Sequence, residues 1–431
     1  MSKFAIIPAT LLIMIALFLA VIHLPATAQG SPTPTPYIEN WYLEATDSWN
    51  LPYAIPGTEE GNATWTLKQA EFSSRYPNGF SFSINASSDQ GEVVLASVIW
   101  SHTPNQLHRL ETTNIEAGQP ITIRWFADES LPPWVAVNYY WSLVDSAGNR
   151  YRTEWVLGNE YADNASSWTR KESQDVIIFL QDGLPYDTIT YTLEAMEAQR
   201  ETYIEAWGGP LSYKPRVILF ASSRDFQEWR RDFAGSGVIG QTAPEWGATV
   251  QVIIEDDPFD LAYGTVLHEI GHLYQFEYIG TDFGGGGLNW LSEGNATLFE
   301  LHQQYDYEQR VRSLAANGEL PLLLQGSGPF AIAAGADGRG RLGYDVGYTF
   351  WKWIVDTYGL SAHRTIIDGL RSGLDRDLVL EQVTGMPVNQ IEQEWARWLG
   401  ASSTAPTLVP TWTLPFRPSP TPFQFPTRDA G

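Results

Sequence analysis

Residues 261–278, LAYGTVLHEIGHLYQFEY, carry Leu261, Val266, Leu267, Ile270, Leu273 and Tyr274 at the spacing of one face of a buried helix. Asp260, just ahead, is the expected N-cap. Inside this helix His268-Glu269-Ile270-Gly271-His272 places two imidazoles at i and i+4, one turn apart on one face. That separation suits two nitrogen donors on a single zinc ion. Glu269, beside the first histidine, reaches water at the metal instead of the metal, which is the position of a general base. With seven histidines in 431 residues, such a pattern arises by chance in on the order of one such chain in a hundred.

Working outward, the chain contains no cysteine, which excludes disulfides, thiol catalysis, iron–sulfur clusters and every zinc site that uses sulfur. A third ligand must be a nitrogen or oxygen donor. Trp290-Leu291-Ser292-Glu293-Gly294-Asn295-Ala296 opens a second helix, expected to run to about Tyr305, with Glu293 in its first turn and Leu291, Leu298 and Leu301 packing inward. Glu293 is the expected third ligand; Glu300 and His302, one to two turns farther along, are the alternatives. His268, His272 and Glu293 together leave a zinc ion with net charge +1, which lowers the pKa of bound water toward ~7.

HEIGH, followed by Glu293 in a Trp-x-x-Glu-Gly-x-Ala setting, resembles the gluzincin metallopeptidases, in particular the secreted bacterial peptidase MA-like proteins. The resemblance spans most of residues 60–400. Asp145–Asn149, Asp163–Trp168 and a closing helix with Glu394-Trp395 and Trp398-Leu399 also match phrases of that family. It implies a β-rich domain ahead of an α+β, zincin-like metal domain, a Zn2+ cofactor and a peptide or protein substrate. It also implies an oxyanion-stabilising side chain, for which Tyr344, at the head of a helix running to Tyr358, is the candidate and Tyr348 the second choice. Two departures stand out. The position four after Glu293, where thermolysin-like enzymes carry a carboxylate that orients a histidine, is Thr297. The Gly-x-Met-Glu-Asn phrase of gluzincin aminopeptidases is absent, which speaks against strict aminopeptidase action.

The remainder of the chain supplies the setting. Asp and Glu number 50 against 26 Lys and Arg, a net charge of −24, which argues against nucleic-acid or anionic-lipid partners because phosphate binding needs clustered cations. Residues 1–28 read as a signal peptide: Lys3, an apolar run from Phe4 to Leu24, then Ala26-Thr27-Ala28, with an uncleaved signal anchor as the competing reading. Residues 29–36 form a Pro/Thr linker and 401–431 a Pro/Thr-rich disordered tail, both extended spacers. The expected location is secreted or at the cell surface.

Between these tracts two regions differ in period. Residues 37–170 show short alternating runs (64–67, 79–84, 92–99, 120–126, 135–144, 151–157) that predict an immunoglobulin-like β-sandwich, with Ser146–Asn149 as a hairpin turn. Its aromatics are read mainly as core, with a glycan-binding face as the alternative. Residues 171–400 read as α+β: strands at 176–180, 216–221 and 249–254, helices at 188–207 and 223–233, then mostly helix. Gly284–Gly287 is a connector or a flexible loop over the cleft, and Glu255-Asp256-Asp257 a solvated turn in preference to a calcium site. Taken together, the residues point to a secreted zinc-dependent peptidase. The alternative is a cell-surface binding or adhesion protein whose sandwich contacts a surface or glycan and whose metallopeptidase-like domain is non-catalytic.

Overall fold

The computed structural model describes residues 57–68, 70–102, 107–127, 131–229, 240–252, 257–280, 283, 289–325 and 341–402. The expected signal segment, the Pro/Thr linker, the tail beyond Ser402, Gly284–Gly287 and Glu255-Asp256 lie outside the described residues. Among the described residues, no helix is long and apolar enough to cross a membrane.

The amino-terminal region is β-rich. Its largest sheet is antiparallel, in the order Thr58–Glu60, Arg150–Arg152, Ala136–Asp145, Val93–Ser101, His108–Thr112, with Val156–Glu160 also pairing to Ala136–Asp145. A second antiparallel sheet, Glu71–Ser74, Gly79–Ile84 and Ile121–Phe126, lies against it. Alternation sends Phe80, Phe82 and Ile84 from one sheet and Val98, Trp100, Tyr139 and Trp141 from the other into one core. Phe80 meets Trp100 edge-on at 4.8 Å between ring centroids, and Phe82 meets Tyr139 at 4.7 Å. The hairpin expected at Ser146–Asn149 is present: Asp145 Oδ1 accepts from the main-chain N–H of Ala147 and Asn149, and Gly148 takes φ +87°.

A five-stranded mixed sheet follows, in the order Trp168–Glu172, Ile177–Gln181, Arg216–Phe220, Ala248–Val252, Gly240–Ala243. The three central strands are parallel and the two edges antiparallel. Every residue of Ile177–Gln181 and of Arg216–Phe220 is buried, as expected for strands covered on both faces. Ile178, Leu180, Val217 and Leu219 face the helical core, whereas Ile177, Phe179, Ile218 and Phe220 belong to the core of the β-rich region. One sheet thus floors two cores.

On the helical face, Asp187–Trp207 ends at Gly208 in the left-handed conformation, φ +88°. The motif helix, Leu267–Tyr278, is entered through a short turn, Pro258–Asp260, and a wide π turn, Leu261–Val266. The cap is Asp257, whose side chain accepts from the Phe259 N–H at 2.8 Å, and not Asp260 as the sequence suggests. Pro258 at the first helical position has its φ already set for the helix and draws the start three residues earlier. The next helix, Asn289–Thr297, stops well short of Tyr305 because the Leu301 and His302 N–H groups turn to the Tyr263 carbonyl. The helix begins at Asn289, so Glu293 lies just beyond its first turn and not within it.

Leu342–Tyr358 crosses Asn289–Thr297 at glycines. A Cβ on Gly294 would sit 2.2 Å from the Gly347 carbonyl carbon, and one on Gly347 would sit 2.0 Å from the Trp290 oxygen. Only paired glycines permit that approach. Leu360–Arg371, Arg376–Thr384 and Val388–Trp398 complete the helical layer.

Candidate metal centre and its surroundings

The fold brings His268, His272 and Glu293 to one point: one ligand atom from each lies within 4.8 Å of the others, the one group of this kind among the described residues. His268 Nε2 and His272 Nε2 are 3.2 Å apart, and each is 3.1 Å from Glu293 Oε2. Ligands at the 2.0–2.1 Å bond lengths of a tetrahedral zinc site stand about 3.3–3.4 Å from one another, so the triangle has the right size.

The donor chemistry agrees. His268 Nδ1 meets Glu300 Oε1 at 3.0 Å and His272 Nδ1 meets Gln275 Oε1 at 2.9 Å, both pure acceptors, so each ring carries its hydrogen on Nδ1. Two Nε2 atoms and a carboxylate oxygen then converge on one another, a contact that positive charge among them, from a metal ion or a ring proton, stabilises. The electrostatics carry the same sign. Burial opposes ionisation of Glu293, yet His272 and His268 in their imidazolium form outweigh it and hold its carboxyl well below the usual range. Burial would depress His268, and Glu293 and Glu300, bonded to its two nitrogens, reverse this and raise it strongly.

The alternative ligands fall elsewhere. Glu300 reaches the far nitrogen of His268, the role for which Thr297 lacks a carboxylate; the turn after Thr297 carries it there from seven residues beyond Glu293. Its other oxygen accepts from Tyr307 OH at 3.2 Å, and Arg341 donates to that hydroxyl at 3.3 Å. His302 pairs with Asp260 at 3.0 Å, outside the group.

Glu269 follows His268 on the motif helix, and its Oε2 accepts a short hydrogen bond from Thr242 Oγ1, on the edge strand Gly240–Ala243. Sequence reasoning missed Thr242, because a four-residue GQTA strand has no apolar alternation to reveal it. The Tyr344 ring lies 5.6 Å from that of His268, and the Arg341 guanidinium lies over the Tyr344 ring at 5.0 Å. Burial, then the Glu293 and Glu269 carboxylates, push its hydroxyl well up, so it stays a proton donor. Tyr348, one turn on, packs against Tyr307 at 6.0 Å between ring centroids.

No protein-family model matches the chain, and no curated protein does. Among solved structures, a two-domain M1 zinc metallopeptidase bound to L-tryptophan is 13% identical, with a TM-score of 0.36 over 81% of this chain and 97% of its own. M1 zinc metallopeptidase from Deinococcus radiodurans is 13% identical, TM-score 0.35, over 84% and 98%. Yeast LTA4 hydrolase is 10% identical, TM-score 0.34, over 82% and 62%. At these scores the likenesses carry no weight, and the functional reading rests on the residues of the chain itself.

Proposed function

We propose that the protein is a zinc-dependent peptidase of gluzincin type. The observation that carries this reading is the triangle of His268 Nε2, His272 Nε2 and Glu293 Oε2, 3.1–3.2 Å on each side. These three residues would hold the ion, leaving a fourth position open. Zinc held there would supply Lewis acidity, polarising a peptide carbonyl and activating water.

The chain's own groups do the rest. Glu269 takes the proton of the attacking water and passes it to the leaving amine, and Thr242 holds that carboxylate in place. Tyr344, kept protonated by its surroundings, donates to the oxygen that becomes negative as the carbonyl is attacked. Glu300 fixes His268 and keeps its Nε2 free to bind. On this reading the substrate is a peptide or protein, the β-rich region is an immunoglobulin-like sandwich whose two antiparallel sheets close on one core, and the chain is exported through its amino-terminal segment.

Hydrolysis of casein by purified protein tests the proposal. Activity abolished by a chelator and restored by added zinc is expected. Activity that persists after complete zinc removal contradicts it.

A further inference from the structure

His268 is oriented by a carboxylate, and His272 by a neutral chain of side chains that begins well away from the metal centre. The main-chain oxygen of Ala206 can only accept, so His363 Nδ1, 3.1 Å from it, carries a hydrogen and donates. His363 is fully buried against Trp207, Phe299 and Trp351, and burial lowers its pKa to about 4, so the ring is neutral and its Nε2 is an acceptor. Asn295 Nδ2 donates to that nitrogen at 2.7 Å. The Asn295 amide is thereby turned with Oδ1 toward Gln275 Nε2, 3.2 Å away. Gln275 Nε2 also donates to the Ser292 main-chain oxygen at 2.8 Å, so a second carbonyl imposes the same direction. Gln275 Oε1 is left to accept from Ser292 Oγ at 2.7 Å and from His272 Nδ1 at 2.9 Å.

We infer that His363 and Asn295, acting through Gln275, are positioning residues that fix the tautomer and orientation of His272 as a metal ligand. Two main-chain carbonyls, neither able to donate, set the direction of every hydrogen in the chain, and the last link leaves the lone pair on His272 Nε2. The inference rests on the zinc reading above, and it makes the helix Leu360–Arg371, which contributes none of the three ligands, a determinant of metal affinity.

The test measures zinc affinity by competition with a chromophoric chelator on the full chain. His363→Phe keeps a ring in the aromatic pocket and removes both hydrogen bonds; His363→Gln keeps an N–H for Ala206 and an oxygen for Asn295. The expected result is zinc affinity 10–100-fold weaker in His363→Phe and within about threefold of wild type in His363→Gln. Zinc affinity in His363→Phe equal to wild type, or an equal loss in both variants, overturns the relay. Should His363→Phe fail to fold, 15N spectra of the wild-type histidines decide: His363 as the neutral Nδ1–H tautomer at pH 7 supports the relay, and the Nε2–H or doubly protonated form overturns it. A wild type that binds no zinc sinks the zinc reading itself, whereas normal wild-type binding with an unaffected variant sinks the relay alone.

Discussion

Glu300 occupies the place that Thr297 leaves open. With its hydrogen bond to His268 Nδ1, Glu300→Ala is expected to weaken zinc binding by roughly 10–100-fold, while Glu300→Gln, which keeps an acceptor, retains most of it; chelator competition on both variants reads the difference. Tyr344 and Tyr348 separate by kinetics. Tyr344→Phe is expected to lower kcat about 10²–10³-fold with little change in KM, the loss typical of one oxyanion donor, and Tyr348→Phe to leave kcat near wild type. The spacing of His268, Glu269 and His272 was readable because one helical turn fixes it. Glu300, Thr242, Asn295 and His363 were not, since their partners lie 20 to 68 residues away and meet only when the elements pack on one another.

At the level of elements, the Gly294–Gly347 crossing sets how near Tyr344 stands to the imidazoles. Gly294→Ala forces backbone apart instead of a side-chain tip, and is expected to cost about 3 kcal/mol or more of stability, measured by chemical denaturation, and to reduce activity in parallel. The motif helix also carries Glu277 near its end. Burial pushes that carboxyl up to about 7, against the bond it accepts from the Ser212 N–H. The fold favours its neutral form, so its contribution is complete below the ordinary carboxylate range and is lost as pH rises through about 7, by at most roughly 3 kcal/mol. Glu277→Gln is expected to flatten the difference in unfolding free energy between pH 5 and pH 8. Equal slopes in wild type and variant contradict this. Alternation identified the strands Gly79–Ile84, Ile121–Phe126 and Ala136–Asp145 from sequence. Glu71–Ser74 and His108–Thr112 escaped because edge strands rich in polar residues, nowhere fully buried, show no apolar period.

Across the whole molecule, the buried strands Ile177–Gln181 and Arg216–Phe220 send alternate apolar side chains into two cores, so the β-rich region packs on the sheet face opposite the helices that carry the metal centre. A chain beginning at residue 171 exposes Phe179, Ile218 and Phe220, and is expected to lose cooperative unfolding that a chain spanning 57–402 retains. Calorimetry of the two distinguishes the outcomes. Zinc links to the same fold: at free zinc 100-fold above its Kd, binding adds about 2.7 kcal/mol, so chelation is expected to lower Tm. The central claim is that Glu269 works on water at a zinc ion held by His268, His272 and Glu293. Its most direct test is cleavage of an unbiased peptide library by wild type and Glu269→Gln at matched zinc content. Cleavage by wild type, reduced at least about 10²-fold in the variant while both bind one zinc per chain, is the predicted result. Equal cleavage by the two forms contradicts it.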